Sequence, residues 1–404
     1  MTGHSPGPQE AVHTGSIPRL RAYDGPALLS YGFRPFFLLA ALYSGLAMLV
    51  WLPMFYGELS AATTFVPRDW HIHEMLFGYV AAVVTGFLLT AIPNWTGRLP
   101  LQGMPLLVLV TVWFLGRIAV STSAWIGWAS AAVVDSAFLV LVAAAAAREI
   151  AAGRNWRNLR VVAVIAVLAL ANIGFHLEAH FFGAADYTIR TGLGAIVLLI
   201  TLVGGRIVPS FTHNWLARAD AGRLPASFAR FDAVTAAGSA VALLLWIAMP
   251  AALVTAFALL LAGILQAARL ARWAGERTYR EPLVFILHIA YAFVAIGFLL
   301  TAASALGLVA DSAGIHAWST GAIGIMTLAV MTRASLGHTG RPLTASVTTM
   351  AIYVAVIIAA LARIAAALLP VWSELLLEVA ALAWTAAFLG FGFSYMPMLC
   401  SSRQ

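Results

Sequence analysis

The sequence predicts an all-α, polytopic integral membrane protein. Hydrophobic residues make up 62% of the 404-residue chain, charged residues make up 10%, and the mean hydropathy is +0.92. Soluble globular domains have a far less apolar composition. Because about 20 apolar residues cross a bilayer, the apolar runs divide into about twelve predicted transmembrane helices. Their predicted ranges are 34–56, 71–94, 103–122, 125–147, 159–182, 189–209, 231–250, 251–271, 282–308, 315–335, 345–369 and 372–399.

The arginines predict the orientation of these helices. All 23 basic residues other than histidine are arginine. If the N-terminus lies inside, only Arg68, Arg117, Arg190 and Arg363 fall on the outer side or within spans. Cytoplasmic loops carry an excess of positive charge, so both termini are predicted to be cytoplasmic. Residues 1–30 are polar and are predicted to form a mobile cytoplasmic leader before a single transmembrane domain, 31–404.

Several classes of function are excluded by composition. Without lysine the chain has neither a retinal Schiff base nor a lysine nucleophile. The single cysteine, Cys400, excludes an internal disulfide, a CxxCH haem attachment and a multi-thiolate metal site. No GxxxxGK[ST] loop is present, which argues against ATP-driven transport. The net charge of +7 comes mostly from arginines in short loops and does not indicate a nucleic-acid partner.

A weak internal repeat relates the second and tenth spans. A histidine, a glycine and a Thr-Gly-Arg triplet have identical spacing in both, at His73, Gly78 and 96–98 and at His316, Gly321 and 339–341. The sixth span ends in GGRIVPSFTHNW, which is similar to IPNW at 92–95. These spans are four apart, so the chain is predicted to contain three pseudo-repeats of four helices.

The segment RDWHIHEM at the start of the second span carries two histidines. Asp69 is predicted to be the helix N-cap. His71 and His73 are two residues apart, roughly 200° around a helix axis, and therefore face nearly opposite directions. One helix could serve two neighbouring sites, or the pair could be solvated by lipid headgroups.

The fifth span contributes a second pair of histidines. In GFHLEAHFF, His176 and His180 are four residues apart and share a helix face, a spacing that chelates one metal ion. Imidazoles without thiolates suit copper, haem iron or zinc. We therefore predict a metal centre at the outer face; its ligands are His71, His73, His176, His180 and His316. The alternative is coincidence, since helix ends tolerate polar residues.

Other polar residues are candidates for supporting roles. Glu74 and Glu178 could deliver protons, or could form interfacial salt bridges with Arg68 or Arg190. A second polar group is predicted at the inner side, where arginines could hold haem propionates; it consists of Arg206, His213, His288, Arg333 and His338. The positive-inside bias alone also accounts for these arginines, and His288 could be a hydrogen-bonded core residue.

Five segments together resemble the NnrS family. They are GFRPFFLLAAL (32–42), WHIHEMLFGY (70–79), FLLTAIPNWTGR (87–98), GGRIVPSFTHNWL (204–216) and AIGIMTLAVMTRASLGHTGR (322–341). The resemblance runs from about residue 30 to the C-terminus. It implies a twelve-helix protein of the bacterial inner membrane that carries haem and copper, is expressed in denitrification or nitrosative stress, and protects against nitric oxide.

With that resemblance, we assign haem b iron to His73 and His316 and copper to His71, His176 and His180, with a second haem at the inner group as an option. In general terms this is similar to the haem-copper oxidases and nitric oxide reductases. The preferred function is binding of nitric oxide and its reduction to nitrous oxide. Quinol or a small cytochrome would supply the electrons, and membrane lipid would surround the protein. The alternatives are a non-catalytic nitric oxide-binding, sensing or iron-protecting haem protein, and a secondary transporter with a histidine-lined site.

Overall fold

Twelve helices form the part of the chain that the computed structural model describes, residues 23–219 and 222–403. Each is long and apolar enough to cross a membrane, and these residues contain no β-strand. The predicted all-α polytopic membrane fold is confirmed. The helices are α1 Phe33–Phe55, α2 Pro67–Thr96, α3 Met104–Ser121, α4 Trp128–Ala152, α5 Trp156–Phe182, α6 Asp186–Arg218, α7 Arg230–Ala248, α8 Leu253–Ala271, α9 Pro282–Ala305, α10 Asp311–His338, α11 Val347–Leu368 and α12 Pro370–Cys400.

Helix packing follows the same pattern in three successive groups of four. The first helix of each group packs on the second and the third on the fourth, while α4–α5, α8–α9 and α12–α1 join the groups into a ring. The second helices, α2, α6 and α10, contribute to the interior, and α2 and α10 are the most buried of the twelve. Arg34 at the start of α1 donates to the Leu399 carbonyl at the end of α12, 2.9 Å away. We call this end of the bundle the terminal face and the other end the opposite face.

The second helix of each group also contains a π-helical segment. These segments are Glu74–Val80 in α2, Ile200–Gly204 in α6 and Ala317–Gly324 in α10. In α2 and α10 the segment begins directly after His73 and His316, the histidines that the repeat relates. π-Helical turns are rare and frequently occur at functional sites. Hydropathy does not distinguish a π turn from an α turn, so the sequence does not predict these segments.

Most helix ends differ from their predicted positions by a few residues; the start of α2 and the end of α6 are two examples. Val66 is the N-cap of α2 and Pro67 occupies its first turn, where a missing N–H costs nothing. Asp69 is therefore not the N-cap; it lies inside the first turn and pairs with the Arg68 Nε at 3.1 Å. Helix α6 continues through Pro209 instead of ending there.

The predicted leader lies mostly outside the described residues, which begin at residue 23. Residues Ala27–Leu29 form a short 3-10 helix. The carbonyl of Ser30 accepts a hydrogen bond from Gln102 at 2.8 Å, so this part of the segment contacts the start of α3.

A buried ion pair supports the π segment of α6. The Arg269 guanidinium donates to the Asp232 carboxylate at 3.0 Å, to the Tyr291 hydroxyl at 3.0 Å and to the carbonyl of Thr201 at 3.0 Å. Thr201 belongs to the π segment. Gly205 lies directly against the guanidinium, and a Cβ there would collide with it. The pair therefore connects α6, α7, α8 and α9 near the terminal face.

We expect Asp232→Ala to destabilise the protein strongly, because it leaves the Arg269 charge buried without its carboxylate. Removing one partner of a buried pair costs about 3–5 kcal/mol. Thermal unfolding of the purified protein in detergent measures this as a lowered apparent Tm. The control is Glu276→Ala, which removes the partner of the exposed Arg223, 2.7 Å away; exposed pairs contribute about 0–1 kcal/mol. Equal apparent Tm values for the two variants would contradict the structural role of the buried pair.

Candidate metal centre and histidine cavity

Three buried side chains form a cluster with the geometry of a metal site. His73 of α2, Asp135 of α4 and His176 of α5 each offer one ligand atom, and these atoms lie within 4.8 Å of one another. The Nε2 atoms of His73 and His176 are 3.2 and 3.0 Å from the same carboxylate oxygen, Asp135 Oδ2. All three side chains are at least 98% buried. We call this group the metal cluster.

Neighbouring residues hold the His73 ring and the Asp135 carboxylate in place. The Nδ1 of His73 is 3.0 Å from Glu74 Oε1, which leaves Nε2 directed at the cluster. A carboxylate behind a ligating imidazole sets its tautomer and ring orientation. Asn172 donates to Asp135 Oδ2 at 2.8 Å. Glu74 also accepts a hydrogen bond from Tyr43.

Arg117 joins the two carboxylates of this network. Its guanidinium donates to Glu74 Oε2 at 2.6 Å and to Asp135. It lies against Gly78, where an added Cβ would come within 2.8 Å of the guanidinium nitrogen, so α3 and α2 approach closely only because of this glycine.

The charges in the network do not balance by themselves. Glu74 and Asp135 supply two negative charges and Arg117 supplies one positive charge, all in the protein interior. Uncompensated buried charge is costly. A proton on a carboxylate or an imidazole, or a metal cation, can supply the missing positive charge.

A separate cavity of about 590 Å³ lies on the other side of α2, towards the opposite face. We call it the histidine cavity, because His71 of α2 and His316 of α10 both line it. Its size is in the range of small-molecule and cofactor sites. Apolar residues make up much of its wall; they include Met48, Met75, Leu76, Val80, Leu193, Trp246, Ile315, Ile323, Leu377 and Trp384.

The two histidines of the cavity differ in how they are held. His316 Nδ1 is 2.7 Å from the Ser312 carbonyl, so Nδ1 carries the proton and Nε2 keeps a free lone pair. His71 stacks on Trp51 with ring centroids 4.1 Å apart. Its buried Nδ1 has no hydrogen-bond partner among the described residues.

The histidine cavity also contains positive charge. Arg363 of α11 is half-buried and forms no hydrogen bond or ion pair with any described residue. Arg190 of α6 lies over the Tyr187 ring at 4.8 Å and donates to one backbone carbonyl. The nearby carboxylate of Asp186 is already paired with Arg68 at 2.7 Å.

The five predicted metal-binding histidines do not meet at one centre. His73 and His176 belong to the metal cluster, and His71 and His316 line the histidine cavity. His180 lies one turn beyond His176; it is exposed and stacks on Trp128 at 4.1 Å. The structure thus groups the histidines differently from the predicted assignment of haem to His73 and His316 and copper to His71, His176 and His180. It does confirm that His71 and His73 face different directions.

The two predicted proton donors have different surroundings. Glu74 belongs to the network around the metal cluster. Glu178 accepts hydrogen bonds from the backbone of Tyr187 and Thr188, both at 2.8 Å, and from the Thr188 hydroxyl at 2.6 Å. These contacts cap the first turn of α6, and Glu178 lines neither site.

The predicted inner polar group is only partly assembled. Arg206, Arg333 and His338 line one cavity near the terminal face, which we call the arginine cavity. His288 is hydrogen-bonded through Nε2 to the Thr212 hydroxyl at 2.7 Å, as the core alternative predicts. His213 is exposed.

Arg117, Asp135 and Asn172 are not among the site residues that the sequence predicts, although all three belong to the metal cluster or its network. Arg117 and Asp135 are ionisable residues within apolar spans, and such a residue is by default a candidate functional residue. Asn172 lies one turn before His176 on the same helix. Asp135 lies seven residues into α4, where that rule applies directly. The spacing of the histidines does not point to Asp135.

The fold and the two sites together define a multi-pass membrane protein with a buried histidine–carboxylate cluster suited to a metal ion. Residues 27–403 match the family model described as NnrS protein. The chain belongs to the NnrS family, as its motifs predict. Among curated proteins none matches the chain.

We expect His176→Ala to remove most of any transition metal bound at the cluster, because it deletes one of two imidazole ligands. Metal content per purified chain, measured for copper, iron and zinc by mass spectrometry, tests this. The matched control is His180→Ala on the same helix, which we expect to keep the wild-type content. Glu74→Gln should weaken binding about 10–100-fold, as loss of an orienting partner does. Full metal content in His176→Ala would contradict the assignment.

Proposed function

We propose that the protein binds nitric oxide at a haem b held in the histidine cavity, and reduces it to nitrous oxide with the help of a copper ion in the metal cluster. It would do so in the bacterial inner membrane, with the terminal face in the cytoplasm. Family membership supports a role connected with nitric oxide. The observation that carries the site is the presence of His71, His316 and the unpaired Arg363 in one largely apolar cavity.

The residues of the histidine cavity fit a haem. His316 would be the better ligand for the haem iron, because its hydrogen bond to Ser312 fixes the ring and leaves Nε2 free. Arg363 and Arg190 offer guanidinium groups for the propionates, and the apolar wall suits the porphyrin body. His71, from the facing side, has an unpartnered nitrogen that can donate to a bound diatomic ligand. The haem supplies the iron to which nitric oxide binds.

The residues of the metal cluster fit copper. Imidazole nitrogens are good copper ligands. The network of Glu74, Asp135 and Arg117 lacks one positive charge, and a cuprous ion supplies that charge while both histidines stay neutral. Two histidines and one carboxylate are also the ligand set of non-haem ferrous sites, so iron content has to be measured together with copper content.

Reduction of two nitric oxide molecules consumes two electrons and two protons and gives nitrous oxide and water. Electrons would come from a quinol or a small cytochrome. Glu74 is the carboxylate best placed to pass protons, because it is hydrogen-bonded to both Tyr43 and His73. Glu178 is committed to the start of α6.

A second candidate is nitric oxide binding without turnover. The lining of the histidine cavity includes neither His73 nor His176. A helix with its side chains is about 10–12 Å thick, so α2 separates the two sites and one nitric oxide molecule cannot bridge them. The transporter alternative predicts helices broken by glycine or proline, whereas α2 and α6 continue through Pro93 and Pro209.

The first experiment compares the dithionite-reduced protein before and after anaerobic addition of nitric oxide, with nitrous oxide assayed in the headspace. We expect a Soret band that shifts with nitric oxide, and catalytic formation of nitrous oxide. His316→Ala should lose the shifting species and the activity, while His180→Ala should behave as wild type. A shift without nitrous oxide would select the binding protein, and no nitric oxide-sensitive band in haem-replete protein would refute both.

A further inference from the structure

The arginine cavity is larger than the histidine cavity and has no role in the function proposed above. Its volume is about 960 Å³, and residues of α1, α2, α6, α9 and α10 line it. The described residues that line it include five arginines and no aspartate or glutamate. The arginines are Arg34, Arg157, Arg206, Arg333 and Arg403. This concentration of positive charge has no counter-charge in its own wall.

Most of these guanidinium groups lack a protein anion. Arg34 donates to two carbonyls of the chain end. Arg333 is half-buried and lies over the Phe211 ring at 4.4 Å. Arg157 and Arg206 are exposed at the rim of the cavity and form no hydrogen bond or ion pair with a described residue. Guanidinium groups bind carboxylates and phosphates in bidentate geometry, so the cavity is suited to an anion.

Part of the cavity wall is apolar, which restricts the kind of anion. Phe37, Phe87, Val203, Leu287 and Val330 line this part. An inorganic anion would gain nothing from such a surface, whereas a ligand with an apolar body and anionic groups at one edge would contact both parts.

His338 adds an imidazole ring to the wall of the arginine cavity. It packs against the rings of Tyr31 and Phe33, with centroids 5.7 and 5.5 Å away, and lines the cavity. It makes no hydrogen bond to any described residue, so its ring nitrogens remain available. An available imidazole beside apolar walls and arginines is the residue set that holds haem iron and its propionates.

We propose that the arginine cavity holds a second haem, with His338 as its iron ligand and with Arg206 and Arg333 on its propionates. A neutral quinol would leave the arginines without anions, and a phospholipid would make no use of the imidazole. The proposal shares its ligand class with the proposed function but rests on different residues. On α10, Ile323 lines the histidine cavity and Val330 lines the arginine cavity. These two residues are about 10 Å apart along the helix. The second haem would pass electrons from the terminal face towards the first.

The test is haem stoichiometry of the full-length protein, measured by pyridine haemochrome per chain, together with a potentiometric titration of the visible spectrum. Wild type should show two redox transitions. His338→Ala should lose about half of the haem and one transition, while the nitric oxide-sensitive band remains. The paired change Arg206→Gln with Arg333→Gln should keep the haem ligand and shift the potential of that same transition. His213→Ala, an exposed histidine towards the same face, is the control and should match wild type.

The outcomes separate this inference from the proposed function. His316→Ala should remove the other half of the haem. Loss of haem in His338→Ala without any loss in His316→Ala would keep the inference and refute the haem proposed for the histidine cavity. Unchanged stoichiometry and potentials in a monodisperse His338→Ala sample would overturn the inference. A second outcome would also overturn the inference. Mass spectrometry would show an anionic phospholipid that copurifies with wild type, and the variant with both arginines replaced would lose this lipid while it retains haem.

Discussion

Buried charge in a low-dielectric interior needs a partner, and this constraint separates the structural from the functional arginines of the protein. Arg117 is paired with the carboxylates of Glu74 and Asp135, and Arg269 with that of Asp232. They hold neighbouring helices together and need no ligand. Arg333 and Arg363 are half-buried without a carboxylate partner among the described residues. Since an unpaired charge in such a place is costly, these two arginines mark the cavities where an anionic ligand would be most stabilising.

The second constraint is the geometry of α2. Its two histidines lie two residues apart at the start of the helix, and the π segment Glu74–Val80 follows immediately. His73 turns towards α4 and α5, where Asp135 and His176 meet it, whereas His71 turns towards α10 and His316. One helix therefore supplies two sites of different chemistry, one polar and closed and the other apolar and open to a large ligand. The repeat places a comparable π segment directly after His316 in α10.

The fold could be predicted from the sequence almost completely, because hydropathy, span length and the spacing of the repeat report on the same twelve helices. The sites could be predicted only in part. Helical periodicity shows that His71 and His73 diverge, but it does not show which distant helix lies opposite each. The partner of His73 is Asp135, from α4, and no local pattern connects them. His180 illustrates the converse, since its spacing from His176 suits a chelate and yet it stacks on Trp128 at the surface.

The separation of the metal cluster from the histidine cavity also limits how the two can cooperate. A ligand bound in the cavity cannot reach the cluster, because α2 lies between them. Under the proposed function, electrons would cross that distance through the helix, and protons would reach His73 through the Tyr43–Glu74–His73 contacts. Cooperation of this kind would resemble redox coupling between two single-metal centres. It differs from a binuclear centre in which two metals hold one substrate, so any joining of two nitric oxide molecules would have to take place within the histidine cavity alone.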